Sequence, residues 1–532
     1  MHVYRRMGLL LAICLFLAIA GGCSNARDKG ADQQSKDELV LAIGGEPDEG
    51  FDPTTGWGRY GSPLFQSTLF KRDQELKLVS DLATGYEISE DGLRWTVTLR
   101  EDVVFSDGAP LTADDVRYTF EQTAQSGSTI DLSNLNRVEA QDSYTVAFHL
   151  VEPQSSFLHM LAAIGIVPAH AHDENYARNP IGSGPYKLVQ WDRGQQLIAE
   201  VNPNYYGKAP QFKKLVFLFL SEDAAFAAAQ AGQVHIAAIP SAFSKQQITG
   251  MRLESLRSVD NRGIMFPYVP AVGETEEGFP IGNDVTADTA IRKAINVALD
   301  REALVDGILE GHGTPAYTLN DGLPWFQEQA VIEDGRPEEA RRMLSEAGWT
   351  DEDENGVLEK GALEARFRLL YPAGDVTRES LALAAADMIR PIGIDIEVEG
   401  MSWEDIRKQM HANAVLLGWG SHDPQEMAAV YGSAYRGVDF FNPGYYSNAA
   451  VDGYMRDAQY ATSEEEANDY WKLAQWDGTT GLSAKGDAPW AWLVNVNHLY
   501  VVREELDIGE QPIHPHGHGW PVTANIEEWQ WR

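Results

Sequence analysis

The chain has 532 residues, enough for two or three domains that each bury a core of their own. Its 79 acidic side chains against 42 basic ones give a formal charge of −37. That balance excludes nucleic acid as a partner, because phosphate binding needs clustered Lys and Arg and the sequence holds no such cluster.

In chain order, Arg5 and Arg6 precede an apolar run over 9–20 that is too short for a membrane span and has the form of a signal peptide over 1–22. Ala20-Gly21-Gly22-Cys23 resembles a bacterial lipobox, with Ala where Leu is commoner, so Cys23 is expected to carry lipid. The alternative is ordinary cleavage and a free thiol. Cys14 leaves with the leader, so the mature chain has no disulfide to make and its stability rests on packing. Residues 24–36 are polar and aperiodic, a tether that ends near 37. A first strand is predicted over 39–43. The loop DPTTGWGRYGS at 52–62 then carries Trp57, Arg59 and Tyr60. Loops after the first strand of an α/β domain tend to face a cleft, where Arg59 could hold a carboxylate and Trp57 could cover a flat ligand. A surface turn with an aromatic packed beneath it is the competing reading.

Trp95, Val97 and Leu99 alternate with polar residues, which predicts a strand over 94–99. A helix is predicted from about 113, with Thr112 accepting from its first turn, Asp114 and Asp115 at its positive end, and Val116 and Phe120 at helical spacing. His170 and His172 share a face if extended, a pattern read as a solvated loop. Further on, the pattern predicts a buried strand over 215–220, a helix over 223–231 and a strand over 235–239. A helical pair over 287–305 is broken at Asp300, and a helix spans 337–347. Strands over 366–371 and 394–399 flank a helix over 379–389. DEDENG at 351–356 imitates the start of a calcium loop, but the twelfth position is Ala362 where a bidentate Glu belongs, so it is read as a turn. A buried strand over 415–419 leads into Gly418-Trp419-Gly420-Ser421-His422-Asp423-Pro424. Near the end, QPIHPHGHGW sets His514, His516 and His518 at alternate positions, which an extended loop would bring to one side. Imidazole is a natural ligand for Ni(II), Cu(II) and Zn(II).

The block LATGYEISEDGLRWTVTLREDVVFSDGAPLTADDVRYTF, at 82–120, resembles the signature of the family 5 (cluster C) extracellular solute-binding proteins, which feed peptide and nickel ABC importers. The resemblance continues through IGSGPYKLVQWDRGQ, NPNYYGKAP, IRKAINVALDREALV, ARRMLSEAGW and LLGW. It implies an α/β, two-lobe periplasmic-binding-protein-like fold (class II, cluster C). The first lobe would span 38–262 with a small inserted subdomain at about 70–180, the second 263–498, and 499–532 would return to the first. Crossings are expected near 264–268 and 493–501. Ligand would bridge the lobes, and the closed form would dock on an ABC permease. The protein would be monomeric and lie outside the cytoplasm, tethered to a bacterial membrane by lipid.

In the family's peptide binders an Asp three residues after the Trp of the GW motif pairs with the peptide's α-ammonium group; here that position is His422. Asp423 is adjacent, but in a strand a one-residue shift turns a side chain to the other face, and Pro424 restrains the backbone before it. The departure, together with the histidines, points to a nickel ion or nickel chelate as cargo. It would be held by His422, His514, His516 and His518, with Arg59 on a chelator carboxylate and Trp57, Trp419 or Trp520 over its flat face; Tyr60 and Asp423 complete the expected lining. A di- or oligopeptide is the alternative cargo. Catalysis is not expected: no HExxH spacing occurs, and Ser421 sits in no nucleophile elbow, which leaves a metallohydrolase remote.

Overall fold

The computed structural model describes residues 36–61, 63–126, 130–517 and 519–532, so the expected leader, Cys23 and His518 lie outside it. It is a mixed α/β, two-lobe periplasmic-binding-protein fold. No helix among the described residues is long and apolar enough to cross a membrane.

The first lobe is built on a seven-stranded sheet with Glu38–Ala42 at its centre. That strand runs parallel to Lys214–Leu218 on one side and Ile236–Ala238 on the other. From Leu39 to Ala42 its sequence is apolar because both faces are covered. Leu39 and Leu41 pack with Phe217 and Trp520, and Val40 and Ala42 with Phe226 on the opposite face. Gln196–Val201 and Tyr186–Asp192 extend one edge. On the other edge His498–Arg503 lies between Ile236–Ala238 and Met251–Leu256.

A four-stranded antiparallel sheet is inserted in this lobe, in the order Ala83–Ile88, Arg94–Leu99, Thr145–Leu150, Leu135–Asp142. Trp95, Val97 and Leu99 face a core shared with Val116 and Phe120 of the helix Ala113–Gln125. The helix entry is a capping box between Thr112 and Asp115. The Thr112 hydroxyl donates to Asp115, whose carboxylate also accepts the Thr112 N–H at 2.9 Å. His170 is exposed, as a solvated loop would have it, and His172 is half-buried; each meets a carboxylate, Asp107 at 2.8 Å and Asp52 at 3.0 Å.

The second lobe holds a six-stranded sheet in the order Gly313–Pro315, Trp490–Val496, Asn261–Met265, Ala414–Leu417, Arg366–Pro372, Asp395–Met401. Thr289–Ala298 and Arg301–Ile308 cover one face, broken at Asp300, whose side chain caps the second helix by accepting from Ala303 at 2.9 Å. Gln425–Tyr431, Ala449–Tyr460 and Glu464–Gln475 cover the other. The chain passes between lobes at 257–260 and again at 497, so the first crossing falls earlier than the expected 264–268. Asn261–Met265 pairs inside the second sheet on both sides, and its Ile264 and Met265 are buried there.

Candidate functional site

A cavity of about 310 Å³ lies between the lobes. The first lobe contributes Arg59, Tyr60, Arg72 and His159, the second Trp419, His422, Asp423 and Glu426, and the C-terminal segment Ile513 and His514. Lys71, Asp81 and Glu527 also line it.

The 52–61 loop is wound by Asp52, which accepts from Thr54 N–H at 2.9 Å and starts a 3-10 turn, with Gly56 left-handed at its end. This winding sends Trp57 inward. The indole N–H donates to the Pro63 carbonyl at 2.8 Å, and the ring packs edge-on to Phe51 and Trp520 at 4.9 and 5.2 Å. Trp520 is stacked on Phe217 at 4.2 Å and is 1% exposed. Neither tryptophan lines the cavity, which corrects the expectation that they cover a ligand. A large aromatic whose N–H is satisfied stabilises a core more than a wet wall. Arg59 does line it, with its guanidinium 4.3 Å from the Tyr60 ring centre and donating to the Tyr60 hydroxyl at 3.0 Å. Burial, and then Glu426, push the Tyr60 phenol up.

On the opposite wall the strand Ala414–Leu417 ends and the chain leaves the sheet. Trp419 is pinned to the first crossing, donating its N–H to Asn261 Oδ1 at 2.9 Å while its carbonyl accepts from Asn261 at 3.0 Å. Its ring stacks on Phe441 at 5.3 Å, and its indole N–H is buried with no partner among the described residues. Glu426 Oε2 accepts from the N–H groups of Gly420 and Ser421 at 3.1 and 2.8 Å, and Asp423 Oδ1 accepts from Gln425 at 2.9 Å. Those bonds curl the segment into the helix Gln425–Tyr431. Strand alternation therefore does not apply, and His422 and Asp423 both line the cavity. Burial raises both carboxyls, Asp423 to about 6 and Glu426 to about 7. Glu426 escaped the sequence reading; its spacing three residues after Asp423, just past Pro424, was the available signal.

His422 is held neutral, its pKa pushed down to about 3 by burial and by the Arg72 charge. Its Nε2 is buried without a partner among the described residues, and its carbonyl accepts from Arg72 at 2.6 Å. The other histidines are engaged elsewhere. His514 is fully buried, with Nδ1 3.0 Å from His498 Nδ1 and Nε2 3.4 Å from Gln511. His516 pairs through Nδ1 with Asp260, which also binds Arg262. The cause is backbone pairing: His514 bridges Ser258 in parallel, and His516 N–H donates to the Gly420 carbonyl at 2.7 Å. The described histidines therefore do not converge as one ligand set. Among the described residues, Asp351, Asp353 and Glu359 are the group of three or more close enough to share an ion, and Asp351 and Asp353 are exposed.

Residues 77–440 match the family described as bacterial extracellular solute-binding proteins, family 5, middle region. The chain is 32% identical over 514 residues to protein XP55 of Streptomyces lividans, covering 93% of this chain and 91% of that one. It is 26% identical over 569 residues to the oligopeptide-binding protein AppA of Bacillus subtilis, covering 98% and 97%. NikZ from Campylobacter jejuni in complex with Ni(L-His) superposes with a TM-score of 0.77 at 25% identity, over 93% of this chain and 100% of that one.

Proposed function

Because this chain belongs to the bacterial extracellular solute-binding proteins of family 5, we propose that it captures a small amino-acid-based solute, a short peptide first of all, and hands it to the permease of an ABC importer. The observation that carries the reading is one cavity to which both lobes bring charge, Arg59 and Arg72 from the first, Asp423 and Glu426 from the second. A zwitterion meets both kinds of group, and contacts completed only when the lobes meet bias the hinge toward closure. The likeness to an oligopeptide-binding protein over nearly the whole chain supports it.

His422 favours a second reading, a nickel chelate. Its imidazole is neutral and keeps one nitrogen without a partner among the described residues. One such ligand suffices where a chelator supplies the rest. The likeness to a protein solved with Ni(L-His) supports this reading.

Calorimetry with dialanine, trialanine and nickel with excess histidine, on the parent and on His422→Ala, separates the two. Peptide binding that the substitution leaves nearly unchanged is the expected result. Nickel–histidine binding that His422→Ala abolishes would move the cargo to the second reading, and no binding of either class would overturn the cargo assignment. The proposal includes a lipid tether at Cys23 and a monomeric unit. Cys23→Ser protein should appear in the soluble extracytoplasmic fraction, and retention on washed membranes would refute the tether.

A further inference from the structure

Arg72 ends the short strand Phe70–Arg72 of the first lobe, where a charged residue reads from sequence as a solvated edge. In the structure its guanidinium lies on the wall of the interlobe cavity. One nitrogen, Nη2, reaches His159 Nδ1 at 2.7 Å and the carbonyl of His422 at 2.6 Å, and Nη1 donates to the Leu76 carbonyl at 3.3 Å. Guanidinium only donates, so His159 Nδ1 accepts and that ring is neutral. All three partners are uncharged. No carboxylate of the described residues lies within ion-pairing distance, and Asp423 and Glu464 act on Arg72 only from further away.

A guanidinium held against a cavity by neutral acceptors keeps its charge uncompensated and retains N–H donors for a further partner. Both Nη2 hydrogens are taken by His159 and His422, which leaves Nε–H and one Nη1–H, each able to make a single charge-assisted bond to a carboxylate oxygen. Arg59, the other arginine of this wall, sits 4.3 Å from the Tyr60 ring centre and donates to its hydroxyl, with Glu426 acting on it from further away. The bond from Arg72 to His422 runs from one lobe to the other and exists only when the lobes are together. An anion on Arg72 would therefore fix the side chain that joins the two walls.

We propose that Arg72 is the residue that recognises a carboxylate of the cargo, and that it couples this recognition to closure through the His422 carbonyl. This rests on the amino-acid-based cargo reading given above and specifies it: the solute carries a free carboxylate, supplied by a peptide C-terminus or by the carboxylate of a metal chelator.

The test pairs acid with amide. Trialanine and trialanine amide form one arm, and nickel with excess histidine or histidinamide the other, each titrated calorimetrically into the parent, Arg72→Met and Arg72→Lys. The parent should prefer the acid in one arm by at least about tenfold, the range for a hydrogen bond to a charged group. Arg72→Met should bind acid and amide alike, at the parent's affinity for the amide, and Arg72→Lys should recover part of the preference. The arm that shows the preference identifies the source of the carboxylate. Equal binding of acid and amide by the parent would overturn the role of Arg72 while leaving the cargo class in place. So would a preference that survives in Arg72→Met. A parent that binds none of the four would overturn both. Should Arg72→Met fail to fold, the acid-to-amide ratio of the parent and of Arg72→Lys still decides, because the three donors of a lysine cannot hold the His159, His422 and Leu76 acceptors and also serve the solute, and must narrow the ratio.

Discussion

His235 shows how one buried side chain sets a pH limit. Its Nδ1 accepts the Val40 N–H at 2.8 Å beside the central strand of the first lobe, and it is 2% exposed. Burial, followed by the Arg503 charge, lowers its pKa to about 4 from an ordinary 6.5. Between those values the unfolded chain binds a proton that the folded chain refuses, so stability falls as pH drops from 6.5 to 4. The loss should approach about 3 kcal/mol by the lower pH. Urea unfolding at pH 7 and pH 4.5 checks it, and His235→Leu should flatten that interval while costing stability at pH 7 by orphaning the Val40 N–H. Gly420 makes a second prediction at this scale. Its φ is +147°, and a Cβ there would lie 2.3 Å from the Val259 carbonyl on the first crossing. Gly420→Ala should destabilise by about 1–3 kcal/mol and weaken binding, because the displaced loop carries His422 and Asp423. Unfolding and calorimetry on the same sample would show whether the two losses come together.

Among the elements, those legible in the sequence are the ones whose local signals agree. The strand Arg94–Leu99 alternates cleanly, and Asp300 both stops one helix and caps the next. Arg59, Tyr60, Trp419, His422 and Asp423 were legible as cavity residues because they sit on loops that follow buried strands. Trp57 and Trp520 were misplaced because exposure of an aromatic depends on what covers it, and here each covers the other. Arg72 was invisible because its partners come from 87 and 350 residues away. The histidine repeat misled for a different reason: alternate positions share a side only while the chain stays extended, and the bend at His516 and Gly517 ends that condition. The C-terminal segment that carries this repeat acts mainly through its aromatic residue. Trp520→Ala should cost about 3–5 kcal/mol, the range for emptying a core aromatic site, and chemical denaturation should register it without a change in nickel response.

At the scale of the molecule, the lobes also meet away from the cavity. Ser155, beyond the inserted sheet, donates its N–H to the Gln459 carbonyl and its hydroxyl to the Ala458 carbonyl, both at 2.7 Å, and so satisfies the last turn of the helix Ala449–Tyr460. The hydroxyl of Tyr460 donates to Glu152 beside it. These bonds need no solute, so the empty protein should already populate a closed form. X-ray scattering of ligand-free Ser155→Ala/Tyr460→Phe should give a larger radius of gyration than the parent, and saturating ligand should shrink both to the same value. Equal radii without ligand would show that the contact contributes nothing to closure.

The path of the chain through the first sheet also bears on how this protein comes into being. His498–Arg503 is an interior strand of that sheet, between Ile236–Ala238 and Met251–Leu256, yet it is made after the entire second lobe. Until residue 503 emerges, Met251–Leu256 has no neighbour, and Phe217 lacks the indole of Trp520 above it. The first lobe therefore cannot finish folding during synthesis; its last pairing joins segments about 250 residues apart, a slow event by the ordinary dependence of rate on contact distance. A chain that stays open this long remains threadable, which suits a member of an extracellular family that must cross a membrane before it takes its final shape.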